Sequence, residues 1–393
     1  MNEELDRKSF RKGVITGIIP AVFVCIFVCM IIFVKERSNR VNLPESVIKK
    51  INAVEKLTDN KYLFDIDEEK LEESIVRGYM AGLNDVYSVY YNKEEVEELT
   101  QGMNGTYTGF GISVYMEEGK LVIGSVSENG SAYEAGIMTD DIIIAVDGVK
   151  LTGTTMSELT APLSGELGTT STITVLRDGE EMNFDVTRKN LEYEYVGYEM
   201  LEDKIAYVGI RHFTNATINQ FKEAVDSMIE DGAEAVIFDV RGNPGGTLQS
   251  VTQMLDYLMP KGLIMYAEDK TGKKTEYNST GADAKLNIPC VILTDENSAS
   301  ASEVFSGALK DHGMAVTVGK NTFGKGIVQS VFTLYDGTAV KLTVERYFTP
   351  NGTCIHEIGI APDVEVELDK DKYVNEGIDT QLDAAIEKIK EMM

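Results

Sequence analysis

The stretch Pro289–Gly313, PCVILTDENSASASEVFSGALKDHG, decides the architecture of the second half of the chain. Cys290–Leu293 is a short apolar run suited to a buried strand, and after a polar interval Val304, Phe305 and Leu309 return at helical spacing. A strand therefore turns into a helix here. Ser300 and Glu303 fit the S-x-x-E capping box at the helix start. Upstream, KIAYVGI (204–210) and AEAVIFDV (233–240) are strand-like, with the amphipathic helix TINQFKEAVDSMIEDG (217–232) between them. An α/β core is expected.

The whole chain has 393 residues, 43% of them hydrophobic, enough for two or three units with real cores. Its formal net charge of −27, from 64 acidic and 37 basic residues, argues against a nucleic-acid surface, which needs clustered Lys and Arg. Of the four cysteines, Cys25 and Cys29 lie in an apolar run, Cys290 opens the buried strand and Cys354 sits near a loop. Neither a disulfide nor a metal site is expected from them, and no cofactor.

Val14–Val34, VITGIIPAVFVCIFVCMIIFV, is uncharged and long enough to cross a hydrocarbon core of roughly 30 Å, so it reads as a transmembrane span. KERSNR follows without a small-residue cleavage site, which favours an uncleaved signal-anchor. Lys and Arg flank both ends, and the large C-terminal region is expected outside the cytoplasm, with residues 1–13 inside. Residues 35–102 read as an acidic helical arm, with Val47, Ile48, Ile51, Val54 and Leu57 and then Leu71, Ile75 and Leu83 at helical spacing.

Residues 103–189 carry short strands and turn glycines. GISVYMEEGKLVIGSVSENG (111–130) reads as two strands about a Glu-Gly-Lys turn, and SAYEAGIMTDDIIIAVDGVKL (131–151) as a short helix ending at Gly136 and then a strand. STITVLRDGEEMNFDVTR (171–188) is a hairpin turning at Asp178-Gly179. This order resembles a PDZ domain. Gly109, Phe110, Gly111 and Ile112 would then form the loop whose N–H groups receive a peptide carboxylate, ahead of a strand that pairs with the peptide.

Chemistry concentrates in three segments. GKNTFGKG (Gly319–Gly326) has the G-x-x-x-x-G-K spacing of a phosphate loop, but Gly326 replaces the Ser or Thr. The following GIVQSVFTL is β-like where such a loop needs a helix, so a nucleotide site is disfavoured. Lys325 is then either a solvated turn lysine or, if desolvated, a general base. Ser300 is either a helix cap or a nucleophile beside N–H groups that stabilise an oxyanion. FDVRGNPGGTLQ (238–249) carries a glycine turn, which serves tight geometry or an anion. His212, His312 and His356 have no evident Asp-oriented arrangement, so a serine-lysine pair fits better than a histidine triad.

DVRGNPGG, NSASASE and NTFGKGIVQ, in this order behind a PDZ-like unit and a membrane anchor, resemble the carboxyl-terminal processing proteases, also called tail-specific proteases. The resemblance extends from about residue 65 to residue 363, including LNDVYSVYY and RYFTPNGTCIHEIGIAPD. It implies that Ser300 is the nucleophile, Lys325 the general base and Gln329 the residue that orients the lysine. Backbone N–H groups of Gly246 and Ala301 would form the oxyanion hole, while Ser298, Ser302 and Glu303 serve local structure. One departure is LSGELGT, where Ser164 replaces a basic residue common in the family, which removes a charge-based link from the PDZ domain through that position.

The expectation is thus a multidomain chain: N-terminal transmembrane helix, helical arm, PDZ domain of mixed β with two helices, and an α/β peptidase core over 190–393 with a C-terminal helix. It would be a serine endopeptidase of the bacterial cell envelope, of Gram-positive type, acting on protein or peptide substrates near C-terminal or extended segments. The family often dimerises. The arm or the helix TQLDAAIEKIKEMM could supply a homodimer contact, although that helix could equally dock on its own core. The competing reading is a catalytically silent PDZ scaffold.

Overall fold

Pro44 fixes φ and lacks an N–H that a first helical turn leaves unused, and it precedes helix α1 (Glu45–Lys61) in the computed structural model, which describes residues 43–393. The described chain divides into a unit ending at Glu72 and a unit beginning at Glu73. In the first, Val47, Ile48, Ile51, Val54 and Leu57 follow the expected helical spacing along α1, and all five are exposed. The expected span Val14–Val34 lies outside the described residues. Among the described residues, no helix is long and apolar enough to cross a membrane.

Helix α2 (Glu68–Ala81) leads into strand β1 (Val89–Tyr91), and helix α3 (Lys93–Asn104) follows. The arm, expected to be helical, is therefore interrupted. Val89, Tyr90 and Tyr91 are β-favouring residues that pair antiparallel with Lys341, Val340 and Ala339, far downstream. The next helix starts with a reciprocal cap: Asn92 accepts from the Glu95 N–H at 2.9 Å, and Glu95 accepts from the Asn92 N–H at 2.8 Å.

The second stage contains β2 (Thr106–Gly109), β3 (Ile112–Glu117), β4 (Lys120–Val126), α4 (Ser131–Ala135), β5 (Ile142–Val146), β6 (Val149–Lys150), α5 (Met156–Thr160), β7 (Thr170–Arg177), β8 (Glu180–Thr187) and β9 (Lys189–Glu192). The sheet runs β3–β4–β5–β7–β8, with β6 on β5, and leaves β3 at the edge. Hairpin turns fall at Glu118-Gly119 and Asp178-Gly179, where positive φ at both positions matches the right-handed twist of the strands. Leu121, Ile123, Ile143, Ile173 and Val175 give this domain a core of its own. Strands β2 and β9 pair from Thr106↔Glu192 to Gly109↔Lys189, forming a two-stranded neck at its base.

The remaining elements are β10 (Val196–Met200), β11 (Ile205–Ile210), α6 (Asn215–Glu230), β12 (Ala235–Asp239), α7 (Leu248–Leu258), β13 (Gly262–Asp269), β14 (Lys274–Ser279), β15 (Cys290–Thr294), α8 (Ala301–Asp311), β16 (Val316–Gly319), β17 (Ile327–Thr333), β18 (Ala339–Phe348), β19 (Val364–Glu365), α9 (Lys370–Glu376) and α10 (Thr380–Met392). One sheet has the order β10–β11–β12–β15–β16–β19, parallel except for its first pair. Helices cover both faces, so β12 and β15 are buried at every position and read as apolar runs up to a single polar residue at each C-terminal end, Asp239 and Thr294. Phe221 of α6, Met254 of α7 and Phe305 of α8 pack on one face, and Ala385 and Ile389 of α10 on the other. The C-terminal helix thus docks on its own core. A second sheet, β1–β18–β13–β14 with β17 on β18, carries the segment after Lys325.

Phe305 anchors the helix that begins beside Ser300. Its ring meets those of Phe213, Phe221 and Phe238 at centroid distances of 6.0, 6.1 and 5.4 Å, and it is fully buried. Burial of such a side chain stabilises by about 1.5–3 kcal/mol, which fixes α8 against the sheet.

Candidate active site

Ser300 stands where β15 has ended and α8 begins, with φ 55° and ψ −112°. That conformation lies outside the basins open to L-residues and costs about 1–3 kcal/mol, so the surroundings must enforce it. They do so from several sides. The Tyr347 hydroxyl donates to the Ser300 carbonyl at 2.9 Å, and the Ser300 N–H donates to Glu303 Oε2 at 2.8 Å. The flanking serines are fully buried and tied to the glycine turn: Ser298 Oγ bonds the Val240 carbonyl at 2.8 Å, and Ser302 Oγ donates to the Asn243 carbonyl at 2.9 Å. Ser300 alone of the three reaches a cavity.

Glu303 does more than cap. Its carboxylate is wholly buried and accepts four hydrogen bonds: from Ser300 N–H, from the Thr322 hydroxyl at 2.6 Å, from Gly324 N–H at 2.8 Å and from Lys325 N–H at 2.9 Å. Four donors fill the acceptor sites of its two oxygens. The same side chain thereby clamps the serine elbow to the loop that carries Lys325. The S-x-x-E pattern gave the first of these bonds, but nothing local signals the other three.

The turn at Gly242–Gly246 needs its glycines. Gly245 has φ 104°, and a Cβ there would sit 2.8 Å from Ser300 Cβ and 2.9 Å from the Ala301 nitrogen. A Cβ on Gly246, at φ 150°, would run into the Phe213 carbonyl. Asn243 steadies the turn, donating from Nδ2 to the Ile210 carbonyl at 3.0 Å and accepting from the Gly245 N–H at 2.8 Å. Among the described residues, the N–H groups of Gly246 and Ala301 take no part in the backbone bonding of turn and elbow. Both residues line the same cavity of about 670 Å³ as Ser300, Lys325 and Gln329.

Lys325 is half-buried in a loop that continues into β17, a strand and not the helix of a phosphate loop. Burial pushes its pKa down, Lys341 pushes it further, and Asp85 and Glu303 oppose. The ammonium nitrogen lies 4.5 Å from the centroid of the Tyr87 ring. Gln329 donates through Nε2 to the Ile327 carbonyl at 3.4 Å, a long contact. Among the described residues, no hydrogen bond joins Lys325 Nζ to Ser300 or to Gln329. The three side chains share a cavity without being linked in it.

Of the histidines, only His212 lines this cavity. Among the described residues its Nδ1 has no hydrogen-bond partner, burial lowers its pKa, and its ring packs 5.5 Å from Tyr195. Among the described residues, no carboxylate orients it, as a triad would require. His312 bonds the Leu263 carbonyl at 2.7 Å.

A largely buried polar network lies behind the glycine turn, and no local pattern in the sequence marks it. Arg241 donates to Asp239 at 3.0 and 2.8 Å and to Asp379 at 2.9 and 2.8 Å, and the Tyr207 hydroxyl donates to Asp239 at 2.6 Å. Burial works against the guanidinium charge, but the two carboxylates more than offset it and hold the Arg241 pKa up. Asp379 is the N-cap of α10, so the C-terminal helix and the strand feeding the turn share one ion-pair cluster.

In the β3–β8 domain, Gly109, Phe110, Gly111 and Ile112 lead into the edge strand β3. Phe110 is buried beneath the Arg188 guanidinium, 4.6 Å from its centroid, and its carbonyl accepts from the Ala132 N–H at 3.0 Å. Gly111 needs its φ of 84°, because a Cβ would come within 2.5 Å of Gly130 Cα. Ser164 meets Arg188 through its carbonyl, at 2.9 Å.

Comparison with known proteins agrees with this layout. Residues 204–366 match the model of peptidase family S41, residues 108–187 a PDZ domain, and residues 33–95 the N-terminal domain of the activating protease CtpB. A protein of Staphylococcus aureus (strain COL) named as a CtpA-like serine protease is 33% identical over 348 residues, covering 88% of this chain and 70% of its own length. The carboxy-terminal processing protease CtpB of Bacillus subtilis (strain 168) is 33% identical over 330 residues, covering 82% and 68%. A crystal structure of an S41 protease from Bacteroides fragilis is 17% identical with a TM-score of 0.54, covering 84% of this chain and 93% of that one, a likeness of fold. With a PDZ domain, a peptidase core and relatives over most of its length, the chain belongs to the carboxyl-terminal processing proteases, serine peptidases of family S41.

Proposed function

We propose that Ser300 and Lys325 form the catalytic pair of this peptidase, with Gln329 orienting the lysine and the N–H groups of Gly246 and Ala301 holding the oxyanion. The observation that carries the reading is that one cavity is lined by all five residues, with the serine held in a strained elbow at its wall. Neutral Lys325 takes the proton from Ser300 Oγ, which attacks the carbonyl carbon of the scissile peptide bond. The two N–H groups hold the negative oxygen as the tetrahedral species forms and collapses. The C–N bond breaks, and the lysine ammonium returns its proton to the leaving nitrogen. The same amine then deprotonates a water molecule whose oxygen attacks the acyl carbon, the bond to Ser300 Oγ breaks, and the lysine returns the proton to Oγ as the acid product leaves. Burial beside Lys341 favours the neutral lysine this cycle needs.

Substrates are protein segments that are C-terminal or extended. The open edge of β3 and the loop at Gly109–Ile112 support their capture by strand addition. Labelling the full-length chain with a serine-reactive phosphonate and sequencing the labelled peptide tests the nucleophile. The adduct is expected on Ser300 and should vanish in Ser300→Ala, whereas a label that persists there on Ser298 or Ser302 refutes the assignment.

Residues 14–34 anchor the protease in a bacterial membrane with the PDZ and peptidase parts outside the cytoplasm, a reading supported by their uncharged, apolar sequence. A C-terminal tag on intact spheroplasts is expected to be removed by added protease. Protection of the tag until the membrane is lysed would reverse the topology.

A further inference from the structure

We infer that Tyr87, backed by Asp85, is a positioning residue for Lys325, its ring face forming a resting seat that holds the protonated lysine away from Ser300. This rests on the reading of Lys325 as general base. The seat is built from the turn between α2 and β1. Asp85 Oδ1 accepts from the Tyr87 N–H at 3.0 Å, and Asp85 Oδ2 accepts from the Ser88 hydroxyl at 2.6 Å. Ser88 Oγ in turn accepts from the Thr343 N–H at 3.1 Å, and Thr343 lies opposite Gln329 in the β17–β18 register. The turn is thus bolted to the strand pair that carries Gln329, although 255 positions separate Ser88 from Thr343 in the chain.

What faces Lys325 is mixed in charge. Lys341 of β18, itself 5.3 Å from the Tyr91 ring centroid, repels its ammonium, while Asp85 of the turn and Glu303 of α8 attract it. The face of Tyr87 at 4.5 Å adds the pull of an aromatic quadrupole, which acts on an ammonium and scarcely on a neutral amine. The seat is therefore selective for the form of the lysine that cannot take a proton. Loss of that proton frees Nζ from the ring and lets it turn toward Ser300 and Gln329, so the seat couples protonation to position.

Removing the seat makes the charged form less favourable. Activity that depends on neutral Lys325 should then begin at lower pH, by about half a unit to one unit for the loss of one such contact. The experiment uses the full-length chain and a loosely folded protein substrate. The acid limb of kcat/KM against pH is compared for the wild type, Tyr87→Phe, Tyr87→Leu and Asp85→Asn. In parallel, the Lys325 side-chain resonance, assigned by its absence in Lys325→Ala, is titrated in a Ser300→Ala background. Tyr87→Leu and Asp85→Asn are expected to move both midpoints to lower pH, and Tyr87→Phe, which keeps the ring, to leave them in place. Unmoved Lys325 midpoints in Tyr87→Leu and Asp85→Asn overturn the seat. An active Lys325→Ala protein would instead sink the general-base reading, and the resonance titration would still decide whether Tyr87 holds the ammonium.

Discussion

Ser300→Ala and Lys325→Ala are each expected to lower kcat/KM for an unfolded protein substrate by about 10⁴–10⁶-fold, and the double substitution to do no further harm. The reasoning is that a nucleophile and its base act as one unit: a serine hydroxyl without a proton acceptor is a poor nucleophile, and an amine without the serine has nothing to activate. What survives either change is the residual help of the oxyanion N–H groups and of substrate binding. Both side chains are only half-buried, so both variants should fold. The measurement is single-turnover cleavage, with peptide binding to the PDZ domain as a control that should not move. If Lys325→Ala keeps activity within ten-fold of the wild type, the base lies elsewhere in the cavity, and His212 is the next group to test.

The second large effect falls on a residue that performs no chemistry. Glu303→Ala should destabilise the peptidase core by about 3–5 kcal/mol, because it leaves buried N–H groups and the Thr322 hydroxyl without an acceptor and opens a small void. Glu303→Gln is the sharper variant. Each carboxylate oxygen accepts from two donors, so whichever way the amide is turned its NH₂ faces two of them. A loss of about 2–3 kcal/mol is expected, read as a lower midpoint in chemical denaturation. Because the clamp sets the separation of elbow and lysine loop, kcat should fall about 100-fold with little change in KM. A Glu303→Gln protein with wild-type stability and turnover would refute the clamp.

Much of this molecule was legible because it is written in local pattern. The hairpin at Asp178-Gly179, the short helix closed by Gly136 and the apolar runs that make up most of β12 and β15 all follow from residues within a few positions of one another. The elbow at Ser300 was visible as a strand-to-helix junction with a capping pattern. The limits were set by sequence separation. Val89–Tyr91 sits between two helices and becomes a strand only because β18 supplies its partner. Arg241 finds Asp379 across 138 positions, and Glu303 finds the lysine loop 19 to 22 positions ahead. Such pairings leave no periodicity to detect, since each partner alone looks like an ordinary surface charge or cap. Gln329 is a different case. Its expected partner lies in the same cavity, but the bond that would orient Lys325 is absent from this arrangement of the side chains.

The β2–β9 neck has a consequence for how such a chain can change over generations. Thr106 and Glu192 lie side by side in one antiparallel pair, so to the peptidase core the entire PDZ domain is a single excursion that departs and returns at one spot. A loop's closure entropy grows only with the logarithm of its length, so the scaffold is nearly indifferent to what the excursion contains. A domain can therefore be exchanged at this joint while the peptidase core stays as it is.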